Sequence, residues 1–384
     1  MTKSAKTVET ITYPKTLLLG IWAPYNKTDH IESYYDEFLK LAHTCGVVDP
    51  VIEYARIRTI DSGYFLTEGK RIEIQKLCDE NKIEHVVISE PLSPHQHRNL
   101  RKLFKAKVFD RTDLILEIFE NAAVSGEGKL QVEIAKLKHQ KTQLAGRGIH
   151  LSQQRGGIGM RSGPGETAKE REARHIEERI KMLHRELATL SKTRETQRKQ
   201  RISSSLPLIC LVGYTNAGKS TILNTLTKSN VLAEDKLFAT LDTTTRELYI
   251  ESKKTALISD TVGFIQMLPP QLIEAFKSTL AELHYADLLL HVVDVSDSDF
   301  QLHISVVEKI LRDLKIDKPL LYVFNKVDNI NPKEMALQMA LDQYHPQVLI
   351  SATSKQGAEP LIQFIQHACK NFKKDDRNAE KENN

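Results

Sequence analysis

The sequence predicts an α/β protein in two α/β parts divided by an antiparallel helical hairpin. Three observations carry that expectation. Apolar β-type runs alternate with helical patterns at both ends of the chain. In the second half those runs are continuously apolar, as parallel strands buried on both faces are. Between the halves, seven of the 17 glycines (Gly146, Gly148, Gly156, Gly157, Gly159, Gly163, Gly165) crowd into one short stretch, with amphipathic helical patterns on both sides.

In chain order, the first part is residues 1–110. It places strands at Leu17 to Trp22, Val47 to Ile57 and Val86 to Ser89, and helices at Ile31 to Ala42, Glu68 to Cys78 and Leu92 to Phe104. Residues 111–203 form the hairpin. Leu130, Ile134, Leu137 and Leu144 keep helical spacing before the glycine loop. After it Ile176, Ile180, Leu183, Leu187 and Leu190 step by four and three, a short heptad seam. Two helices packed separately on a neighbouring domain are the alternative. Residues 204–372 repeat the α/β alternation, with strands at Leu208–Val212, Ala256–Ser259, Leu288–Val295, Leu320–Phe324 and Val348–Ile350. The tail, residues 373–384, has no apolar residue but Ala379 and is expected to be disordered.

Composition narrows the function classes. At 384 residues, 40% hydrophobic and 27% charged, the chain is neither collagen-like, nor a disulfide framework, nor wholly disordered. No apolar run approaches the roughly 18 residues of a membrane span, and the opening MTKSAKTVETITYPK lacks the apolar core of a secretory signal, so a cytoplasmic protein is expected. Cys45, Cys78, Cys210 and Cys369 are scattered, which suggests reduced structural thiols and no zinc site. A net charge of +4 identifies a nucleic-acid partner only if the positive charge is concentrated somewhere.

Chemistry concentrates after the strand Leu208–Val212. The run Gly213-Tyr214-Thr215-Asn216-Ala217-Gly218-Lys219-Ser220 has the G-x-x-x-x-G-K-S spacing of a phosphate loop, between a strand and a helix-like segment. Its glycines let backbone N–H groups curl around phosphates. Lys219 reaches the β and γ oxygens, and the Ser220 hydroxyl can ligate Mg²⁺ at the helix N-terminus. Asp260-Thr261-Val262-Gly263 follows the next strand, where a carboxylate can hold a Mg²⁺-bound water and the Gly263 N–H can meet a γ-phosphate. Between them, Phe238-Ala239-Thr240-Leu241-Asp242 is a place for a second hydroxyl on the metal.

The base is expected to be guanine. Asn325-Lys326-Val327-Asp328 follows another strand, and the Asp328 carboxylate can accept from both N1–H and the 2-amino group, a pair adenine does not offer. Ser351-Ala352-Thr353, after the last strand, fits a loop closing over the base edge. In this order and at strand ends, the motifs indicate a GTPase G domain, a mostly parallel doubly wound sheet. Lys219, Thr240 and Gly263 are its candidate catalytic residues. Phe264 stands where many such proteins carry a water-orienting glutamine, so slow hydrolysis by the isolated chain and activation by a partner or a cation are expected. Asn216 matches the asparagine of potassium-activated GTPases, although a simple turn role suits it equally.

Beyond these motifs, LSPHQHRNL (Leu92 to Leu100), VFDRTDLILEIF (Val108 to Phe119), EGKLQVEIAKL (Glu127 to Leu137), RSGPGETAKE (Arg161 to Glu170), GYTNAGKST, FATLD and DTVGFIQMLPPQLIEAFKSTLAEL extend a resemblance over most of the chain. The chain resembles the HflX-type ribosome-associated GTPases. The resemblance implies an N-terminal α/β domain with a helical hairpin, a G domain, binding of GTP and GDP, and Mg²⁺ on Ser220 and Thr240. It also implies association with the large ribosomal subunit and dissociation of stalled 70S ribosomes. GPGETAKE replaces the usual GPGETQLE, and LDTT at Leu241–Thr244 replaces LDPT. Little chain follows the G domain for the extra C-terminal domain of some members.

The residues support a ribosomal partner on their own. Between Thr142 and Gly165 lie Arg147, Arg155 and Arg161 and no acid, on the glycine-rich loop at the expected hairpin tip, which suits rRNA phosphates. A solvated, partner-free loop is the alternative there; KTRETQRKQR (Lys192 to Arg201) adds local positive charge, which helix-surface solvation explains equally well. A monomer is expected. A large-subunit assembly factor that does not split ribosomes and a signalling switch with a protein effector are the alternatives.

Overall fold

The computed structural model describes residues 14–26, 31–145, 168–202, 206–227, 237–238, 244–269, 272, 274, 280–330 and 340–382. The chain divides into two compact units, Met1–Ile115 with Thr142–Gly163, and Leu116–Lys141 with Pro164–Asn384.

The first unit is built on β1 (Thr16–Trp22), β2 (Val51–Arg56), β3 (His85–Ile88) and β4 (Lys107–Phe109), all parallel in the order β2-β1-β3-β4. The connections are α1 (Ile31–Thr44), α2 (Glu68–Asn81) and α3 (Pro94–Phe104). α3 begins at Ser93, which forms a capping box with Gln96, and Pro94 follows at the first helical position, where its missing N–H costs nothing. Leu17, Leu19 and Ile21 of β1 and Val86 and Ile88 of β3 centre the core. Where the strand order reverses, between the carboxyl ends of β1 and β3, the buried Glu90 accepts hydrogen bonds from the hydroxyls of Tyr25 and Tyr34. Burial raises the Glu90 pKa, opposed by those hydroxyls. The three-residue β4 has no counterpart in the apolar runs read from the sequence.

Next come α4 (Arg111–Ala122), α5 (Gly126–Ala145) and α6 (Ala168–Ile202). In the second unit, α5 and α6 run antiparallel, tied by Arg179 to Glu133 at 2.8 Å and Lys141 to Glu177 at 2.9 Å. The α6 seam is buried at Ile176 and Leu183, half-buried at Ile180 and Leu187, and 38% exposed at Leu190. Burial along the seam is therefore greatest over the first half of α6 and falls toward Leu190.

The rest of the second unit is a six-stranded sheet in the order β10-β9-β8-β5-β7-β6. Its strands are β5 (Leu208–Gly213), β6 (Thr244–Ile250), β7 (Lys253–Asp260), β8 (Leu288–Asp294), β9 (Leu320–Asn325) and β10 (Gln347–Leu349). Only β6 is antiparallel, pairing with β7 at one edge. Around it lie α7 (Lys219–Thr227), α8 (Phe300–Asp313) and α9 (Glu359–Glu382). Ile209, Leu211, Leu290, Val292, Leu321 and Val323 form the middle of the core. α9 continues helically to Glu382, into the segment 373–384. KKDDRNAEKE lacks glycine and proline and includes several good helix formers, so its backbone extends a helix already nucleated by the apolar turns before it. Among the described residues no helix is long and apolar enough to cross a membrane, and the four cysteines form no disulfide.

Candidate active site

The central strand β5 ends at Gly213, and the chain turns there into α7 through the phosphate loop. Gly213 has φ +154°, and a Cβ on it would meet the Val292 carbonyl oxygen at 2.3 Å. Gly218 has φ +96°, and a Cβ there would lie 2.2 Å from Asn325 Nδ2. Both positions therefore require glycine, one for backbone against backbone and one for backbone against a functional side chain.

Lys219, the first residue of α7, is buried and donates from Nζ to the carbonyls of Gly213 at 3.2 Å and Tyr214 at 2.7 Å. The loop's own carbonyls thus aim the ammonium across its concavity. Burial pulls the Lys219 pKa down to about 8, and the Asp260 carboxylate opposes the shift. His291, on β8 opposite Val212, is held neutral, its pKa pushed down to about 3 by burial and by Lys219. Ser220 Oγ donates to Asp260 Oδ2 at 2.7 Å, and the other Asp260 oxygen accepts the Thr261 N–H at 2.9 Å. Thr261 Oγ1 in turn donates to the Leu211 carbonyl at 2.6 Å, which fixes the end of β7 beside β5. A serine hydroxyl and a carboxylate brought this close by two different elements form a hard oxygen pair of the kind Mg²⁺ takes, directly or through water.

On the other side of the loop, Asn325 acts as a clamp. Its Nδ2 donates to the Ala217 carbonyl at 2.9 Å and its Oδ1 accepts the Ala352 N–H at 3.0 Å. One side chain therefore ties the phosphate loop to the Ser351-Ala352-Thr353 loop. Thr225 of α7 adds a second tie, its hydroxyl donating to the Ala352 carbonyl at 2.7 Å. Ser351 and Thr353 share a hydrogen bond of 2.8 Å between their hydroxyls. Lys326, at φ +66°, pairs with Asp294 at 2.6 Å. Asp328 lies exposed in the short 3₁₀ turn Val327–Asn329, where its carboxylate is open to a base.

Phe238 is buried at φ +58°, and its ring packs on Phe119 of α4 at 4.5 Å between centroids. Ala239, Thr240, Leu241 and Asp242 lie outside the described residues, as do Arg147, Arg155 and Arg161. Val262 and Phe264 are buried beside the loop, and the Phe264 ring is only 1% exposed, so it presents no group to a water there. Asn216 sits at φ +60° in the loop. The structure thus gathers the phosphate-loop, Asp260–Gly263, Asn325–Asp328 and Ser351–Thr353 residues at the carboxyl ends of β5, β7, β9 and β10. Thr225 and the ring of Tyr214, which stacks on His303 of α8, went unread in the sequence, because nothing local marks a side chain whose partner lies far along the chain.

A phosphate loop between a strand and a helix, bordered on one flank by the Asp260–Gly263 turn and clamped on the other through Asn325 to the Ser351–Thr353 loop, is the layout of a P-loop GTPase. That is the class to which this chain belongs, and it is a GTP hydrolase. Family profiles described as GTP-binding GTPase N-terminal, GTP-binding GTPase Middle Region and 50S ribosome-binding GTPase match residues 32–120, 122–201 and 208–326. The chain is 43% identical to the GTPase HflX of Caldanaerobacter subterraneus, over 87% of this chain and 77% of that protein. It is 40% identical to the GTPase HflX of Escherichia coli, over 86% and 77% respectively. The chain belongs to the HflX GTPase family. Among solved structures, a GTP-binding protein of Sulfolobus solfataricus in complex with GDP aligns over 92% of this chain and 98% of that one, at a TM-score of 0.45.

Proposed function

We propose that this GTPase is cytoplasmic and monomeric, binds the large ribosomal subunit, and uses its GTP cycle to dissociate stalled or idle 70S ribosomes. The observation that carries the reading is the match of the nucleotide-binding segment to a 50S ribosome-binding GTPase profile. It is supported by the packing of Phe238, from the Phe238–Asp242 segment, against Phe119 of α4 within residues 111–203. Within this reading residues 1–110 are the N-terminal domain, 111–203 the hairpin and 204–372 the G domain. Arg147, Arg155 and Arg161 are its candidate rRNA contacts.

In the nucleotide site, Lys219 places its charge against the β and γ phosphates, and backbone N–H groups from Gly213 to Ser220 line the loop. The Gly263 N–H meets the γ-phosphate, while Asp328 and the Ser351–Thr353 loop read guanine. Ser220 and Thr240 would hold Mg²⁺, which when bound neutralises charge on the β and γ oxygens. Asn216 is a candidate ligand for an activating K⁺. With Phe264 buried, no side chain at that position orients water, so turnover by the isolated chain is slow and the subunit accelerates it.

Sedimentation of 70S ribosomes with the full chain tests the proposal. Conversion to subunits with a non-hydrolysable GTP analogue, and none with GDP, is expected. Binding to large subunits without conversion would favour an assembly factor, and no binding would favour a signalling switch.

A further inference from the structure

Tyr214 entered the sequence reading only as backbone of the phosphate loop, yet its side chain makes two contacts that the phosphates do not require. The ring, 6% exposed, stacks on His303 of α8 with 3.8 Å between centroids and 16° between planes. At its far end the hydroxyl accepts the Gln266 N–H at 2.8 Å. The backbone on either side is tied to the same segment: Phe264 N–H donates to the Gly213 carbonyl at 3.1 Å, and Thr215 N–H donates to the Phe264 carbonyl at 2.7 Å. Three hydrogen bonds therefore fasten residues 264–266 to residues 213–215.

Gly263 is the residue next to this clasp, and its placement follows from it. A Cβ on Gly263 would lie 3.1 Å from Lys219 Nζ and 3.0 Å from the Thr215 side chain. The N–H expected to meet a γ-phosphate is thus held beside the ammonium expected to meet the same group. A backbone donor contributes to a transition state only if it is aimed before charge develops, and a loop free to move loses that alignment.

We propose that Tyr214 is a positioning residue for hydrolysis. Braced by His303, its hydroxyl holds the segment that follows Phe264 and so keeps Gly263 aligned with Lys219. In a site whose residue 264 cannot orient water, this clasp keeps residues 263–266 in register from the phosphate-loop side. GDP has no γ-phosphate, so its affinity does not depend on the clasp.

Tyr214→Phe in the full chain removes the acceptor and keeps the ring. Single-turnover hydrolysis of bound GTP is expected to slow by about three- to ten-fold, the effect of one ordinary hydrogen bond felt in the transition state. GDP affinity, measured by displacement of a fluorescent GDP analogue, is expected to stay within about two-fold, as a merely structural lesion would not allow. A single-turnover rate equal to that of the unaltered chain overturns the proposal. A slower rate matched by an equal loss of GDP affinity also overturns it, because Tyr214 would then support the whole phosphate loop and not the segment 263–266.

Discussion

Lys219 shows how a residue's surroundings become a measurable property. Its ammonium is buried among carbonyls, which lowers its pKa to about 8, well under the usual lysine value. Phosphate oxygens favour the charged form, so nucleotide binding near pH 8 takes up a proton, and affinity falls as pH rises through that range. Calorimetry at pH 8 in buffers of different ionisation enthalpy is expected to show this uptake, and Lys219→Ala should abolish it along with tight GTP binding. Asp328 belongs to the same scale. Exposed and placed by a single turn, it can change without disturbing the Asn325 clamp, so Asp328→Asn should lower the preference for GTP over XTP in a competition assay while the thermal melt hardly moves. Both residues are legible in sequence because their motifs are contiguous strings at strand ends. Thr225, His303 and the side-chain contacts of Tyr214 are not, because each works through a partner brought near only by the fold.

Among elements, the strands that the sequence discloses are those buried on both faces. β5 reads as an unbroken apolar run and β8 as one interrupted by His291 before its terminal Asp294, whereas β6, TTRELYI, lies at the sheet edge with charged residues facing out and offers no such run. Helical periodicity reports α5 and α6 but not how far their contact extends, which depends on the partner surface. Leu183 is fully buried and Leu190 is 38% exposed, although the two occupy equivalent places in one seven-residue pattern. Leu183→Ala should therefore cost about 2–5 kcal/mol in chemical denaturation of the full chain, against about 0.5 kcal/mol or less for Leu190→Ala. Arg179→Ala, which breaks an exposed ion pair with Glu133, should cost under about 1 kcal/mol.

Over the whole molecule, the two sheets share a pattern that neither composition nor motif spacing discloses. In each, the strand nearest the N-terminus is an interior one: β1 lies between β2 and β3, and β5 lies between β7 and β8. Parallel neighbours come from distant sequence, so such a strand waits for its partners, which is the slow and exposed part of assembling these topologies. On arrested ribosomes carrying nascent chains of increasing length, β1 should become protease-resistant once Phe109 has cleared the exit tunnel. β5 should remain cleavable until β8 has emerged. The turn Ser351–Thr353, which we propose reads the base, follows the last strand of all. On the proposed reading of that turn, a product terminated between Ser220 and Ser351 carries a phosphate loop without the whole base end, and such truncations are expected to retain guanine nucleotide less well than the full chain in a filter-binding assay, so errors of translation there yield poorly loaded fragments.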